Sequence, residues 1–187
     1  MEELSIREVT RENWRAALRL AVHPEQQRFI ADYTPIAAIA LAKAYIRPGG
    51  LVWIPYAIYK NMEMIGFTEL AYEPESQENY WIFHFFIDYR YQGQGYGKQG
   101  LELFLQFIRE HHPQCRSLQL TVHPENVRAQ HLYMNAGFQK TDKVLDGEPV
   151  FRLALRAPDT SPDFQDALSA YHTIEPRYRE ANRRLAE

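Results

Sequence analysis

Residues 92–98 read Gln92-Gly93-Gln94-Gly95-Tyr96-Gly97-Lys98, which puts three glycines into five positions directly ahead of a lysine. Without β-carbons the backbone can turn sharply and aim successive N–H groups at one point. Where a helix begins at such a turn, unpaired amides and aligned peptide dipoles both favour an anion, so the ligand it suits is a phosphate or pyrophosphate. Lys98 adds a full charge. The same residues also fit a plain tight connection. Two familiar phosphate loops do not match: the P-loop needs a glycine at 92 and a hydroxyl residue at 99, where the chain has Gln92 and Gln99. The dinucleotide-binding fingerprint needs an acid ending the next strand, which here reads Ser117-Leu118-Gln119-Leu120-Thr121-Val122.

Two elements must position this turn. Before it runs Trp81-Ile82-Phe83-His84-Phe85-Phe86-Ile87, polar only at His84, the pattern of a strand buried on both faces. After it, Leu101, Phe104, Leu105 and Ile108 recur at helical spacing up to Pro113. A second cluster lies downstream, where Asn126, Ala129, Leu132 and Tyr133 share one helical face and Gly137 is expected as its left-handed cap.

The paired patterns, Gln92-x-x-Gly95-x-Gly97 after a hydrophobic strand and Asn126-x-x-Ala129-x-x-Leu132-Tyr133-x-x-x-Gly137-Phe138, resemble the GNAT superfamily of acetyl-CoA-dependent N-acetyltransferases. The segment Phe85-Phe86-Ile87-Asp88 with Arg90-Tyr91-Gln92-Gly93 is similar to its diamine and spermidine acetyltransferase branch. The resemblance spans roughly residues 4 to 155. It implies an α/β fold with a mixed central sheet, flanking helices and two parallel strands that splay apart around acetyl-CoA. The pantetheine arm is then expected on Phe85, Phe86, Ile87 and Asn126, and the pyrophosphate on Gln92, Gly93, Gln94, Gly95, Tyr96, Gly97 and Lys98. Paired helices near the N-terminus would wall the acceptor site, bringing Gln27, Phe29, Asp32 and Tyr33 near substrate.

The chemistry follows from the bonds involved. An alkylamine titrates near pH 10.4, so it arrives protonated and must lose a proton before attacking a thioester. The departing thiolate, of intrinsic pKa about 8.5, leaves more readily when an acid protonates it. Tyr133 matches the family's tyrosine and is the candidate acid, although its position also suits a core residue. A backbone N–H near Ile87 is expected to hold the oxyanion. Asn126 can cap its helix and touch the pantetheine arm at once. For the base, Glu69, His84 and a water chain ending in backbone carbonyls all remain open. Polyamine acetyltransferases of this type carry an acid where this chain has Phe83, and strand alternation turns His84 to the opposite face from Phe83. Cys115 lies outside both motifs and reads as a small buried hydrophobe. The seven histidines are scattered, so no metal is expected.

At 187 residues the length favours one domain, divided here into an acetyltransferase domain over 1–156 and a C-terminal tail over 157–187 with a helix carrying Phe164, Leu168, Tyr171 and Ile174. A formal charge of -3 offers no basic patch for nucleic acid, and neither a membrane span nor a leader is apparent. A single cysteine excludes an internal disulfide framework, and the cytoplasm is the expected compartment. Expected elements, in order, are a strand over Leu4–Val9, a helix capped by Thr10 and ending near His23, a helical piece over Pro24–Phe29, and a helix over Ile36–Tyr45. A hairpin over Pro55–Tyr59 and Met62–Tyr72 follows, with Gly66 marking a bulge or close approach. The loop Glu73-Pro74-Glu75-Ser76-Gln77-Glu78-Asn79 is either a solvated turn or a steering patch for a cationic amine. A strand over Ser117–Val122, parallel to the aromatic one, and a last hairpin turning at Asp146-Gly147 complete the sheet. Three functions fit: acetylation of a small-molecule polyamine or diamine, the same chemistry on an amino sugar, amino acid or protein amine, and a non-catalytic acyl-CoA-binding module. The family suggests a possible homodimer.

Overall fold

In a computed structural model, residues 3–31 and 34–155 are described. Asp32, Tyr33 and the expected tail helix with Phe164, Leu168, Tyr171 and Ile174 lie outside them. Seven strands form one sheet: β1 (Leu4–Glu8), β2 (Val52–Lys60), β3 (Glu63–Tyr72), β4 (Tyr80–Ile87), β5 (Ser117–Thr121), β6 (Gln139–Leu145) and β7 (Glu148–Ala154). Their spatial order is β1-β2-β3-β4-β5-β7-β6, antiparallel throughout except for the parallel neighbours β4 and β5. The helices α1 (Trp14–Ala17) and α2 (Ile36–Ile46) share one core with Ala57, Phe67 and Phe86. A second core joins α3 (Tyr96–His111) and Tyr133 of α4 (Val127–Asn135) to Ile58, Ile65, Phe85 and Ile87.

Glycine and turn chemistry set the boundaries. Gly95, at φ 86°, caps α3, and Gly93 precedes it at φ 76°. Asn126 accepts from Ala129 N–H at 3.1 Å and so caps α4, while Gly137 ends it at φ 97°. Asp146 and Gly147 both have positive φ and close the β6–β7 hairpin.

Gly66 marks both of its expected features. The β2–β3 register shifts beside it at Ile58/Tyr59, and a β-carbon there would stand 2.7 Å from Phe86 O. Cys115 is buried, its Sγ donating to Ser117 O.

Two expectations change. The first helix is four residues long and Thr10 does not cap it, because the helix begins only after Asn13; Thr10 Oγ1 instead accepts from Glu12 N–H at 3.3 Å, and Thr10 N–H donates to Asn13 Oδ1 at 2.7 Å. Beyond Ala17 the chain is drawn away by the end of β4: Ala21 N–H donates to Asp88 Oδ2 at 3.0 Å, and Tyr89 N–H to Ala21 O at 2.9 Å. The piece over Pro24–Phe29 is a 3-10 helix.

The second change is in β4. Phe67 pairs with Phe86 but Glu69 with Phe83, so β4 carries one residue more than β3 over this interval. His84, at φ 51°, is part of this bulge. The bulge undoes the alternation expected of His84. Phe83 and His84 both meet Lys43, so they face the same side, that of α2.

The acidic loop is a solvated turn, with Glu73, Glu75 and Glu78 exposed. It sits at the leading end of β4, at the other end of that strand from the glycine turn, and Glu78 fastens it to the sheet. Glu78 accepts from Ser117 Oγ at 2.9 Å and pairs with Arg152, and Glu73 accepts from Asn79 Nδ2 at 3.0 Å.

Candidate active site

Parallel pairing between β4 and β5 is confined to Tyr80↔Leu118 and Trp81↔Gln119. From Ile82 onward the two strands part, leaving the β4 backbone open on that edge. Asp88 N–H donates to Ile65 O, so the alternation of an antiparallel ladder turns the N–H and C=O of Ile87 away from β3. Its carbonyl accepts from Gln92 Nε2 at 2.9 Å, and its N–H faces the opening.

A cavity of about 580 Å³ fills that opening, with a second of about 280 Å³ adjoining it along β4. The larger is lined by Phe85, Phe86, Ile87, Gln92, Gly93, Gly95, Gly97, Lys98, Asn126 and Tyr133, which the sequence had singled out. Two of the expected residues turn aside. Gln94 donates its side-chain amide to Arg90 O, and the Tyr96 ring is buried in the core. Burial leaves only the backbone of Tyr96 available to a ligand, while Gln94 stays exposed.

The glycine turn therefore stands at the N-terminus of a sixteen-residue helix and opens on a cavity, the arrangement an anion requires. Lys98 is exposed and stands 3.9 Å from Glu102, a surface pair of small energetic weight. Gln92 is the latch of the turn. Besides Ile87, its amide exchanges hydrogen bonds with Gln26 at 3.0 and 2.9 Å, tying the turn to the Pro24–Phe29 segment. Asp88 anchors the strand end. Burial alone would raise its pKa, but hydrogen bonds from the Arg90 side chain and from the Ala21 and Arg90 amides outweigh this and hold it low.

Tyr133 borders both cavities. Its ring meets Phe85 and Phe138 edge to face, and its hydroxyl makes no hydrogen bond among the described residues. Burial pushes the phenol above its ordinary value, so it stays protonated at neutral pH.

Glu69 and His84 come together on the α2 side. The carboxylate of Glu69 is buried, neither oxygen is hydrogen-bonded, and Oε2 lies 4.0 Å from His84 Nε2. Burial raises Glu69 to about 8 against the opposing pull of Lys43. His84 borders the smaller cavity, while Glu69 borders neither. Its Nε2 stands 3.3 Å from Lys43 Nζ and its Nδ1 3.2 Å from Ile30 O. Burial, helped by the Lys43 charge, lowers it to about 4, so the imidazole is neutral. Of the residues expected at the acceptor wall, Phe29 borders both cavities, and Gln27 instead bonds Ala31 O.

Sequence reasoning missed Gln26, Arg128 and Lys43. The first two line the larger cavity. Lys43 had no signal of its own, being one lysine in an alanine-rich helix, and only the fold brings it to His84.

Among the described residues no group of three His, Cys, Asp or Glu is placed to hold a metal ion, and no helix is long and apolar enough to cross a membrane. A family model described as the acetyltransferase (GNAT) family matches residues 6–138. The chain is 31% identical over 153 residues to a spermine/spermidine N(1)-acetyltransferase of Bacillus subtilis, covering 79% of this chain and 95% of that protein. Among solved structures, spermidine N-acetyltransferase from Vibrio cholerae in complex with CoA and spermine matches with a TM-score of 0.60 at 18% identity, over 80% of this chain and 92% of that one. The PaiA N-acetyltransferase from Thermoplasma acidophilum in complex with coenzyme A matches with a TM-score of 0.59 at 14% identity, over 81% and 99%.

Proposed function

The chain belongs to the acetyltransferase (GNAT) family, and on that premise we propose that it transfers an acetyl group from acetyl-CoA to a primary amine of a polyamine or diamine. Acetyl transfer is the family's activity. The observation that carries the reading is the opening between β4 and β5, with a glycine turn on its wall and the Tyr133 hydroxyl, which has no partner among the described residues, in it. The choice of acceptor is supported by the identity to the Bacillus subtilis enzyme.

Acetyl-CoA supplies a thioester carbonyl and a thiolate leaving group. The open edge at Phe85, Phe86 and Ile87 would hold its pantetheine arm together with Asn126, and the turn from Gln92 to Lys98 its pyrophosphate. Ile87 N–H is the donor for negative charge developing on the carbonyl oxygen. Tyr133 holds the proton that the thiolate, of intrinsic pKa about 8.5, takes as it leaves.

The acceptor's proton must go elsewhere, and we assign it to Glu69. A buried carboxylate raised to about 8 takes a proton from an ammonium far better than one of ordinary pKa. His84, held neutral, is the polar contact between Glu69 and the cavity rather than the base itself. In this reading the acetyltransferase domain is 1–156, and the enzyme works in the cytoplasm as a homodimer.

A second reading keeps the chemistry and changes the acceptor to an amino sugar, amino acid or protein amine. Phe83 favours it, since the residue paired with Glu69 is an aromatic where the polyamine branch carries an acid. CoA release, followed by a thiol reagent with spermine, spermidine, putrescine, aminoglycosides and amino acids as acceptors, separates the two. Turnover confined to the polyamines supports the first reading. Turnover with the others alone replaces it with the second. Silence across the panel with acetyl-CoA binding intact removes every acceptor tested and leaves a protein amine, an untested metabolite or a non-catalytic acyl-CoA-binding module.

A further inference from the structure

Lys43 sits where a ligand's cation would be expected. Its Nζ lies 4.7 Å from the centroid of Trp53 and 4.9 Å from that of Phe83, and 3.3 Å from His84 Nε2. The two rings pack against each other at 5.0 Å, and Trp53 is fixed by its Nε1–H donating to Pro48 O at 3.1 Å. Trp81 extends the surface, stacking on Phe83 at 6.1 Å. Glu69, buried and with no hydrogen-bonded partner, sets a negative charge behind the slot when ionised.

Two aromatic faces and a carboxylate make a slot for an alkylammonium, and a lysine side chain is chemically a butylammonium. His84, the neighbour of that ammonium, borders the cavity between the parting strands. An acceptor with two ammonium groups therefore finds a cation slot beside the reaction cavity that is already filled by one of the protein's own. Like charges disfavour joint occupancy. Lys43 is half-buried, and its flexible stem lets it leave for solvent.

We propose that Lys43 determines acceptor selection: its ammonium holds the slot of Trp53, Phe83 and Glu69, and the second ammonium of a diamine or polyamine enters only by displacing it. This rests on the amine-acceptor reading above. It makes the enzyme discriminate less in favour of diamines than the slot itself would allow. The slot without Lys43 is the better diamine site.

The test compares butylamine with putrescine, which differ by one ammonium on the same carbon chain, at saturating acetyl-CoA. For Lys43→Ala the ratio of kcat/KM for putrescine over butylamine should rise about 30-fold, the scale of one desolvated cation–π contact. Adding Trp53→Leu should reverse the rise. Lys43→Met, which keeps the length and removes the charge, is the second variant should the first fold poorly. A ratio unchanged or lowered in a folded variant that still turns over overturns the proposal. Absence of turnover with every amine in the wild type, with acetyl-CoA binding retained, overturns the amine-acceptor reading and the proposal with it.

Discussion

Tyr133 and Phe85 meet edge to face, with ring centroids 6.4 Å apart at 67°, and so join α4 to β4 across the gap where the parallel strands have separated. The contact fixes the phenol ring, while its hydroxyl has no hydrogen-bond partner among the described residues. Tyr133→Phe removes only that hydroxyl. The transfer rate should fall about 100-fold, the lower end of general-acid catalysis, with acetyl-CoA affinity nearly unchanged. Initial rates of CoA release paired with titration calorimetry check this, and unchanged turnover would refute the role.

Gly95 stands at φ 86°, and a β-carbon there would meet Gln99 Nε2 at 3.5 Å. The obstacle to a side chain is the backbone conformation rather than space. Gly95→Val should cost about 1–3 kcal/mol of local strain. Relief of that strain tilts the turn and weakens acetyl-CoA binding by at least about 10-fold. Calorimetric titration with CoA reads the loss, and normal affinity would remove the phosphate-loop reading.

Glu69 is raised from an ordinary 4.5 to about 8 by burial. At limiting acceptor the rate should climb as pH passes through that value, and Glu69→Gln should lose this limb. Stability carries the opposite sign. The folded chain binds the proton more tightly than the unfolded one, so the contribution is full below the unfolded pKa and lost as pH rises through the folded one. Thermal melts of Glu69→Gln should therefore gain on the native protein between about pH 5 and about pH 9.

Gly66 has no room for a methyl group, which would stand 2.7 Å from Phe86 O and 2.8 Å from Ile87 Cδ1. Gly66→Ala should destabilise by about 1–3 kcal/mol, because the backbone of β4 must yield. Thermal unfolding measures it. The same displacement moves Ile87 N–H, so the transfer rate should fall further than the population of folded enzyme does.

The glycine turn, the cap at Asn126 and the tyrosine on its helix could all be read from the sequence because each is a local signal: special φ, an Asx cap, a helical spacing. The hairpin at Asp146-Gly147 belongs with them. The bulge at His84 could not be read. A strand buried on both faces is apolar at every position, so an extra residue leaves no break in its pattern, and Phe83 and His84 were assigned to opposite faces. The short first helix was hidden for a different reason. Trp14, Leu18 and Val22 keep helical spacing, but the competing partner for Ala21 is Asp88, 67 residues away. Lys43 and Glu69 meet His84 only because three separate elements converge, and no spacing in the chain records that.

The stitching around Glu78 has a mechanical meaning. Its carboxylate takes the Ser117 hydroxyl and the Arg152 guanidinium, and beside it Arg116 N–H donates to Gln77 O at 2.8 Å, all at the end where β4 and β5 are still joined. The two strands are thus joined like the arms of a peg, with the acidic loop at the joined end. For an arm of eight residues at roughly 3.3 Å each, a turn of about 3° at the joined end shifts the far tip by more than about 1 Å. If the proposed function holds, a thioester lodged between the two tips would feel a change made at the opposite end of the sheet.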